Sequence, residues 1–269
     1  MSKESWYRPI ISSYRNRKSH TLAQEIGLIL KELKSEVPVL IISYNNGVYV
    51  ENIVRQFSKF NIKPIVIDNN SSDEETIRTL EHLAKDGLTY VAFSKNNFGH
   101  FAGFIDSIYK LLPNNFAYTD PDLQLNEDLP LNFIEELIQL TKKFQVYKAG
   151  FALSLLDNER IINNTLKISH TKPFNYKKDF SVRQYESKYW RFPVKNTKLE
   201  AHYAPIDTTF AIYNKDNYQG DFYDGIRVAG EYSAIHLPWF PERDIMNEQQ
   251  KQAYLNSDRK KDSTWIKRH

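Results

Sequence analysis

Short, continuous apolar runs alternate with amphipathic stretches between residues 37 and 122. Four of these runs are rich in β-branched or aromatic side chains, which predicts buried parallel strands: Val37–Ile42, Pro64–Ile67, Leu88–Phe93 and Phe116–Thr119. In the stretches between them, apolar residues recur every three or four positions, which predicts helices. Strands and helices that alternate over short connections indicate a doubly wound α/β fold, with a mostly parallel central sheet flanked by helices.

The pattern weakens after residue 122 but does not disappear. Apolar spacing predicts a helix over Leu131–Phe144 and strands over Lys148–Leu156 and Thr208–Tyr213. The stretch 157–204 has no periodicity, and irregular segments of that length inside a domain are usually functional or mobile. Residues 1–36 carry a helical apolar stripe, which predicts an N-terminal helical extension. With no internal repeat or low-complexity linker, residues 37–269 are expected to form a single domain.

The composition excludes several classes of protein and several kinds of site. The 269 residues contain no cysteine, which excludes a disulfide scaffold, a thiolate metal site and a cysteine nucleophile. A net charge of +3 is too small for a dedicated nucleic-acid binder. We expect a cytoplasmic protein, because no apolar stretch resembles a membrane span or a signal peptide. The basic tail at 259–261 and 267–269 is either solvated or in contact with an anionic partner. That partner is anionic lipid at the inner face of a membrane or an anionic substrate.

Polar residues follow each of the four predicted strands, where an open α/β sheet forms its ligand crevice. The first three strands run into Ser43–Asn46, Asp68–Asp73 and Asn96–Gly103. Carboxylates and amides there can bind a ribose, and Gly99 allows a ligand to approach the backbone. The same residues serve equally well as helix caps and turns. We interpret Ser72 and Asp73 as caps, and Asp68, directly at a strand end, as functional.

The fourth strand ends in Asp120-Pro121-Asp122. Two carboxylates at a strand end suit a hard divalent cation that carries phosphate oxygens. Asp-Pro-Asp is also favourable turn chemistry, so the triplet alone leaves both interpretations open. Its position beside three other polar strand ends favours the metal site.

These motifs, taken in order, resemble a bacterial family 2-type glycosyltransferase of the GT-A fold, the Rossmann-like fold of nucleotide-diphospho-sugar transferases. The resemblance rests on four runs at successive strand ends: Ile41–Asn45, Val66–Asp73, Asn97–Gly99 and Tyr118–Asp122. It covers residues 37–123 well and continues more weakly through Asp207–Phe210 and His236–Trp239. It implies a half at 37–123 that binds the nucleotide sugar and a half at 124–269 that binds the acceptor.

The resemblance also implies roles on the donor side. Tyr44 and Asp68 would face the nucleoside of a nucleotide-diphosphate sugar, most often a UDP-sugar. Asp120 and Asp122 would form the DxD motif that holds Mn²⁺ or Mg²⁺ against the diphosphate. His236 either completes the metal site or is a packed core histidine. Further candidates for donor binding lie beside these residues: Ser43, Asn45, Asn97 and Gly99. Arg227, later in the chain, either binds a phosphate or is simply an exposed arginine.

On the acceptor side, an inverting transfer needs a general base. Asp207 and Glu231 are the two candidates, and we favour Asp207, although it equally suits a structural carboxylate at a strand end. The usual acidic pair before a helix is absent, which leaves this assignment open. The aromatic stretch Tyr185–Phe192 is a candidate lid over the acceptor, expected to be a surface glycan or a lipid-linked precursor.

Two other functions compete with this interpretation. A sugar-phosphate nucleotidyltransferase would share the α/β nucleotide sheet, but the loop after the first strand, 43–47, lacks the basic residues that such enzymes use. A non-catalytic nucleotide-sugar-binding protein is disfavoured by the intact Asp68, Asp120 and Asp122.

Overall fold

The computed structural model describes residues 18–33, 37–162, 165–167 and 179–257. Its helices are α1 (His20–Glu32), α2 (Gly47–Ser58), α3 (Glu74–Lys85), α4 (Asp106–Tyr109), α5 (Phe133–Phe144), α6 (Val182–Ser187) and α7 (Glu248–Ser257). Its strands are β1 (Val39–Ser43), β2 (Ile65–Asp68), β3 (Tyr90–Phe93), β4 (Asn115–Thr119), β5 (Leu123–Leu125), β6 (Lys148–Phe151), β7 (Thr165–Lys167), β8 (Asp179–Ser181), β9 (Ala201–Tyr203), β10 (Ala211–Asn214), β11 (Gly225–Val228) and β12 (Ala234–His236). Short 3-10 helices include Ala102–Phe104, Lys188–Trp190 and Gly230–Tyr232.

Eight strands form one sheet in the order β3-β2-β1-β4-β10-β6-β11-β9. Six of them run in one direction, while β10 and β9 run in the other. Two smaller sheets pair β5 with β12 and β7 with β8. The predicted α/β class with a mostly parallel central sheet flanked by helices is therefore confirmed.

The centre of the sheet is buried on both faces because the interior positions of β1, β2 and β4 are apolar. In β1, Val39 and Ile41 point into a core shared with α2, α3 and α5, while Leu40 and Ile42 point into a second core on the other face. Strand side chains alternate between faces, so a continuous apolar run is stable only between two apolar layers.

The second core contains helix α1, which belongs to the predicted N-terminal extension. Its buried face packs with α4 and β3 and consists of Leu22, Ala23, Ile26 and Ile29. The same core holds the aromatic side chains of Phe104 and Phe116. The helix contributes apolar surface that one face of the sheet needs for its burial. The rest of the predicted extension, 1–17 and 34–36, lies outside the described residues.

The third predicted helix is not continuous. A 3-10 helix at Ala102–Phe104 is followed by Ile105 in an extended conformation and then by the single turn of α4. The close approach of Gly103 to the Tyr118 ring accompanies the break, since a Cβ at that glycine would collide with the ring. The apolar positions are buried as predicted, but the backbone between them follows the shape of the core.

Two predicted strands are shorter than their patterns indicate. The first ends at Phe151, after which only Leu153 makes an isolated bridge, to Ala234. The second begins at Ala211 rather than at residue 208, so Asp207 lies in the preceding loop. The predicted irregular stretch contains β7, β8, α6 and β9 within its described part.

Strand β10 runs antiparallel between β4 and β6, which the apolar pattern did not predict. Its first residue, Ala211, pairs with Tyr118 near the end of β4. An antiparallel strand begins at the edge where its parallel neighbours end. The loop before β10 therefore reaches the edge of the sheet that carries the acidic triplet.

No helix in the described part of the chain is both long and apolar enough to cross a membrane. The basic tail at 259–269 lies outside the described residues. Contact of that tail with a membrane stays a prediction.

Substitution of Gly150 tests the close packing of β10 against β6. A Cβ at this glycine would lie 2.7 Å from the Cβ of Ala211 and closer still to the Phe210 carbonyl. Overpacking of this kind costs about 1–3 kcal/mol, so we expect Gly150→Ala to lower the free energy of unfolding by that amount in urea titrations.

Gly27→Ala is the matched control. In helix α1 the added methyl meets only the Leu111 side chain, at 3.6 Å. A glycine inside a helix is less stable than alanine by about 0.5–1 kcal/mol, so this variant should gain stability. Equal stability of the two variants would contradict the packing described for β10.

Candidate active site

Asn45 joins the loops that follow β1 and β2. Its side-chain oxygen accepts hydrogen bonds from the backbone N–H groups of Ser72 and Asp73, at 2.8 and 2.9 Å. Its own backbone N–H donates to the Ser71 hydroxyl at 2.8 Å. The residue adopts the left-handed conformation, with φ of 50°, which asparagine tolerates better than most residues. The buried side chain of Asn45 thus holds the two loops together.

Asn69 makes the next link along the same edge. Its side-chain oxygen accepts from the Phe98 N–H at 2.7 Å, and its amide donates to the Asn97 side chain and to the Gly99 carbonyl. Gly99 has φ of 81°, which lets the chain turn back toward this amide. The loops after β2 and β3 are therefore cross-linked by one asparagine.

Asp68 is buried at the end of β2. Burial raises the pKa of its carboxyl, while hydrogen bonds from the backbone and hydroxyl of Ser71 act in the opposite direction. Each carboxylate oxygen accepts one of these bonds, at 3.0 and 2.5 Å. A carboxylate can accept about four hydrogen bonds, so capacity remains for a ligand hydroxyl.

Ser43 and Tyr44 end the first strand. The Ser43 hydroxyl donates to the Asn46 side chain at 3.0 Å and is fully buried. The Tyr44 ring is partly exposed, and its hydroxyl donates to the Ser257 carbonyl at the end of α7 at 3.1 Å. Helix α7 therefore meets the predicted nucleoside position, close to the loop that Asn45 holds.

Asp120 is bound to the loop before β10. Its N–H donates to the Thr208 carbonyl at 2.9 Å, and its carboxylate accepts from the Thr208 hydroxyl at 2.5 Å. Burial raises the pKa of the Asp120 carboxyl well above its usual range, and the charges of Asp122 and Asp207 raise it further. Three acidic residues thus lie close enough for mutual repulsion, an arrangement that favours a bound cation.

Asp122 and His236 meet through the pairing of β5 with β12. His236 lies opposite Leu123 in this small sheet, and its Nε2 is 3.2 Å from Asp122 Oδ2. Two polar atoms of the pair, Asp122 Oδ1 and His236 Nδ1, are buried without a hydrogen-bond partner in the described part of the structure. The His236 ring also contacts Trp239, which is buried in the core.

This donor set fits a divalent cation. Carboxylate oxygen and imidazole nitrogen suit Mn²⁺, and buried polar atoms without partners are rare unless an ion or a water satisfies them. Among the described residues no cluster of three or more His, Asp or Glu side chains is close enough to hold a metal alone. A nucleotide diphosphate, which carries its own oxygen ligands, would have to complete the coordination.

The two candidate bases differ in their surroundings. Asp207 is exposed beside Thr208, and its backbone carbonyl accepts from Lys148 Nζ at 3.3 Å and from the Tyr213 hydroxyl at 3.2 Å. Glu231 is exposed in the 3-10 helix Gly230–Tyr232. Only Asp207 is next to a residue that binds Asp120, so the structure brings it, rather than Glu231, to the acidic edge.

The side chain of Lys148 holds the loop that carries Asp207. Its side chain is fully buried and its Nζ lies 3.8 Å from the Phe222 ring centroid and 4.8 Å from that of Tyr213. Burial lowers the pKa of this lysine well below its usual range. The aromatic surroundings and the Asp207 carbonyl keep the buried amine in place.

Arg227 is not exposed. Its Nη1 lies 2.7 Å from Glu186 Oε2 in a buried ion pair, and its Nε donates to the Pro205 carbonyl at 2.9 Å. Burial raises the pKa of the Glu186 carboxyl, against the effect of the Arg227 charge. The guanidinium predicted to bind phosphate therefore has an anionic partner within the protein.

Sequence reasoning missed four residues that organise this edge: Asn69, Lys148, Glu186 and Thr208. Asn69 and Thr208 stand in motifs that were recognised, next to Asp68 and Asp207, but no local signal distinguishes their role from capping. Lys148 and Glu186 carry no sequence signal, because their partners are distant along the chain. Only the fold brings those partners together.

No protein-family model matches this chain, and no curated protein matches it. Among solved structures, it is similar to S. aureus TarS 1-349 at 12% identity and a TM-score of 0.39, over 67% of this chain and 47% of that one. It is also similar to the mannosyltransferase PcManGT from Pyrobaculum calidifontis, in complex with GDP-Man and Mn²⁺, at 12% identity and a TM-score of 0.44. That similarity covers 81% of this chain and 65% of the mannosyltransferase. The chain spans less than two thirds of either solved chain, and TM-scores below 0.5 show no shared activity.

Alanine at Asn45 tests whether this side chain holds the two loops. The variant loses all three side-chain hydrogen bonds to the loop after β2 and places alanine at positive φ. Asn70→Ala is the matched control, since Asn70 also has positive φ, of 68°, but is exposed and makes no side-chain hydrogen bond to the described residues. In urea titrations we expect Asn70→Ala to cost about 1–2 kcal/mol and Asn45→Ala about 1–3 kcal/mol more. Equal losses would show that the Asn45 side chain does not join the loops.

Proposed function

We propose that this protein is a metal-dependent glycosyltransferase. It transfers a hexosyl or N-acetylhexosaminyl group from a nucleotide-diphosphate donor, a UDP-sugar, to a bacterial surface glycan or polysaccharide precursor. The transfer proceeds with inversion at the anomeric carbon. The donor binds at the edge formed by β1, β2, β3 and β4, and the acceptor approaches from the side of β6 and β11.

One observation carries this proposal. The contact between Asp122 and His236, with a buried atom of each lacking a partner, lies beside Asp120 at the end of the central strand β4. The sheet is polar at each neighbouring strand end, so a metal ligand set and a nucleotide crevice coincide there. A turn or a capping role explains neither the histidine nor the unpaired atoms.

The residues of the donor side divide into supports and contacts. Asn45 and Asn69 hold the loops, as their side-chain hydrogen bonds are used within the protein. Asp68 retains acceptor capacity for a ribose hydroxyl, and the half-exposed Tyr44 ring offers a face for the base. Gly99 leaves space for a ligand near the backbone, since nothing in the described structure would contact a Cβ there.

Asp120, Asp122 and His236 would hold Mn²⁺ or Mg²⁺. When bound, the cation would neutralise charge on the leaving nucleotide diphosphate. Thr208 fixes the carboxylate of Asp120 through its hydroxyl, so that it need not reorganise when substrate binds. The loop that carries Thr208 also carries Asp207, which links the donor side to the base.

Asp207 would accept the proton of the attacking hydroxyl. Its exposed carboxylate is accessible to an acceptor, and its backbone is anchored by Lys148 and Tyr213. A general base must lie within hydrogen-bond reach of the hydroxyl that it activates, which requires such anchoring. Glu231 is the second candidate for this role.

Asp122→Asn tests the metal site. The amide keeps the shape of the side chain but removes the charge that holds a cation. We expect Mn²⁺-dependent hydrolysis of UDP-sugars, followed as UDP release, to fall about 100-fold. EDTA should abolish the wild-type activity, and Mn²⁺ should restore it.

Asp128→Asn is the matched control, because Asp128 is an exposed carboxylate on the loop after β5. It should retain wild-type hydrolysis. The absence of metal-dependent turnover with any nucleotide sugar would contradict the transferase proposal. Pyrophosphate release from UTP and a sugar 1-phosphate would instead favour a nucleotidyltransferase.

Asp207→Asn and Glu231→Gln separate the candidate bases. Removal of a general base slows transfer about 10²–10⁴-fold, and we expect this loss in kcat for Asp207→Asn alone. Mn²⁺ and UDP binding, measured by calorimetry, should be unchanged in both variants. If only Glu231→Gln loses transfer, the base is Glu231.

A further inference from the structure

A small, open cleft lies at the end of β6 and β11. Its enclosed space of about 10 Å³ admits one water molecule or one ligand hydroxyl, so a larger ligand would lie across its mouth. Two buried charged residues and three aromatic side chains surround it, over a short apolar floor. Its lining consists of Ala152, Leu153, Glu186, Tyr189, Trp190, His202 and Arg227. A cleft that combines ring faces with a few fixed polar groups is typical of a small-molecule site.

The charged base of the cleft is the Glu186–Arg227 ion pair. Both side chains are at least nine-tenths buried, and their closest atoms are 2.7 Å apart. Arg227 uses Nη1 and Nε within the protein, while its Nη2 makes no hydrogen bond to any described residue. The ion pair therefore offers a ligand two groups, the Nη2 donor of Arg227 and the acceptor carboxylate of Glu186. The pair as a whole carries no net charge.

Aromatic rings form the wall. The Arg227 guanidinium lies over the Tyr189 ring, 4.1 Å from its centroid, which fixes its orientation. Trp190 packs against the edge of His202, with centroids 5.1 Å apart and an interplanar angle of 68°. Trp190 is nevertheless 38% exposed, so part of its indole remains available to a ligand.

Two contacts connect the cleft with the elements of the proposed site of transfer. Leu153, on its floor, bridges Ala234 in β12, the strand that ends at His236. Arg227, which lines the cleft, donates to the carbonyl of Pro205, two residues before Asp207 in the chain. A molecule at the cleft would therefore lie near the strand that carries His236 and the loop that carries Asp207.

We propose that a neutral pyranose ring of the acceptor binds across the mouth of this cleft, stacked on Trp190, with one hydroxyl entering to hydrogen-bond with Glu186 and Arg227. This inference rests on the proposed function and deepens it by naming the acceptor class as an uncharged sugar. Sugar rings have an apolar face that packs on indole. A hydroxyl can donate to a carboxylate and accept from a guanidinium.

The same contacts argue against a phosphate or a uronic acid in the cleft. Glu186 cancels the charge of Arg227 at contact distance, and a second anion would face the buried carboxylate. Arg227 therefore serves the acceptor rather than the diphosphate predicted from its sequence position.

Saturation-transfer NMR with simple sugars tests the proposal without requiring turnover. The probes are methyl glucoside, methyl galactoside and methyl N-acetylglucosaminide, with glucuronate and inorganic phosphate as charged competitors. We expect at least one neutral pyranoside to bind the wild type, with the strongest transfer to the protons of one ring face. The charged competitors should not displace it.

Trp190→Ala should weaken that binding about tenfold, and Trp190→Phe should restore most of it. Phe192→Ala is the matched control, since Phe192 is a 67% exposed aromatic residue of the same segment that does not line the cleft. It should bind as the wild type does. Both Trp190 and Phe192 are partly or largely exposed, so unchanged urea midpoints are expected for each variant.

Absence of binding by every neutral pyranoside, unchanged binding in Trp190→Ala, equal loss in Phe192→Ala or displacement by phosphate would each overturn the proposal. Calorimetry of UDP with Mn²⁺ on the same proteins separates this outcome from failure of the proposed function. If UDP does not bind but the pyranoside does so through Trp190, the transferase proposal fails and the sugar site stands. If UDP and Mn²⁺ bind but no pyranoside does, the sugar site alone fails.

Discussion

Burial of the central sheet on both faces is the constraint on which the rest of the structure depends. The interior positions of β1, β2 and β4 are apolar, so helices must cover both sides before these strands can pair stably. One layer is built by α2, α3 and α5, and the other by α1 with the aromatic residues around Phe104. The polar side chains of these strands stand at the strand ends. Polar chemistry is therefore confined to the edges of the sheet, and the parallel direction of most strands concentrates it on one edge.

At that edge the loops are held by buried side chains rather than by regular structure. Asn45 and Asn69 satisfy backbone N–H groups that would otherwise be buried without partners. The Thr208 hydroxyl likewise donates to the buried carboxyl of Asp120. Such contacts restrict the loops before a ligand arrives, which reduces the entropy lost on binding. Some residues that look like ligand-binding groups in the sequence, such as Asn45 and Asn69, therefore support the loops instead. A smaller set of polar residues remains accessible to a ligand.

The antiparallel strand β10 joins the two halves of the site. Because it runs against β4 and β6, the loop that precedes it meets the end of β4, and Thr208 reaches Asp120. The same loop rests on Lys148, whose buried amine bonds to the Asp207 carbonyl. On the far side, β11 carries Arg227 to Glu186 and the aromatic cleft. The metal candidate, the proposed base and the cleft therefore depend on the direction of a single short strand.

The sequence alone determined the α/β class, the first four strands and the clustering of polar residues at their ends, because these follow from local apolar periodicity and from the geometry of parallel sheets. It also brought Asp120, Asp122 and His236 into one hypothesis, through a resemblance rather than through spacing. The direction of β10, the break at Ile105, the contact of His236 with Asp122 and the pairing of Glu186 with Arg227 were decided only by the tertiary structure. Each of these depends on packing between segments far apart in the chain, and local periodicity contains no information about such partners.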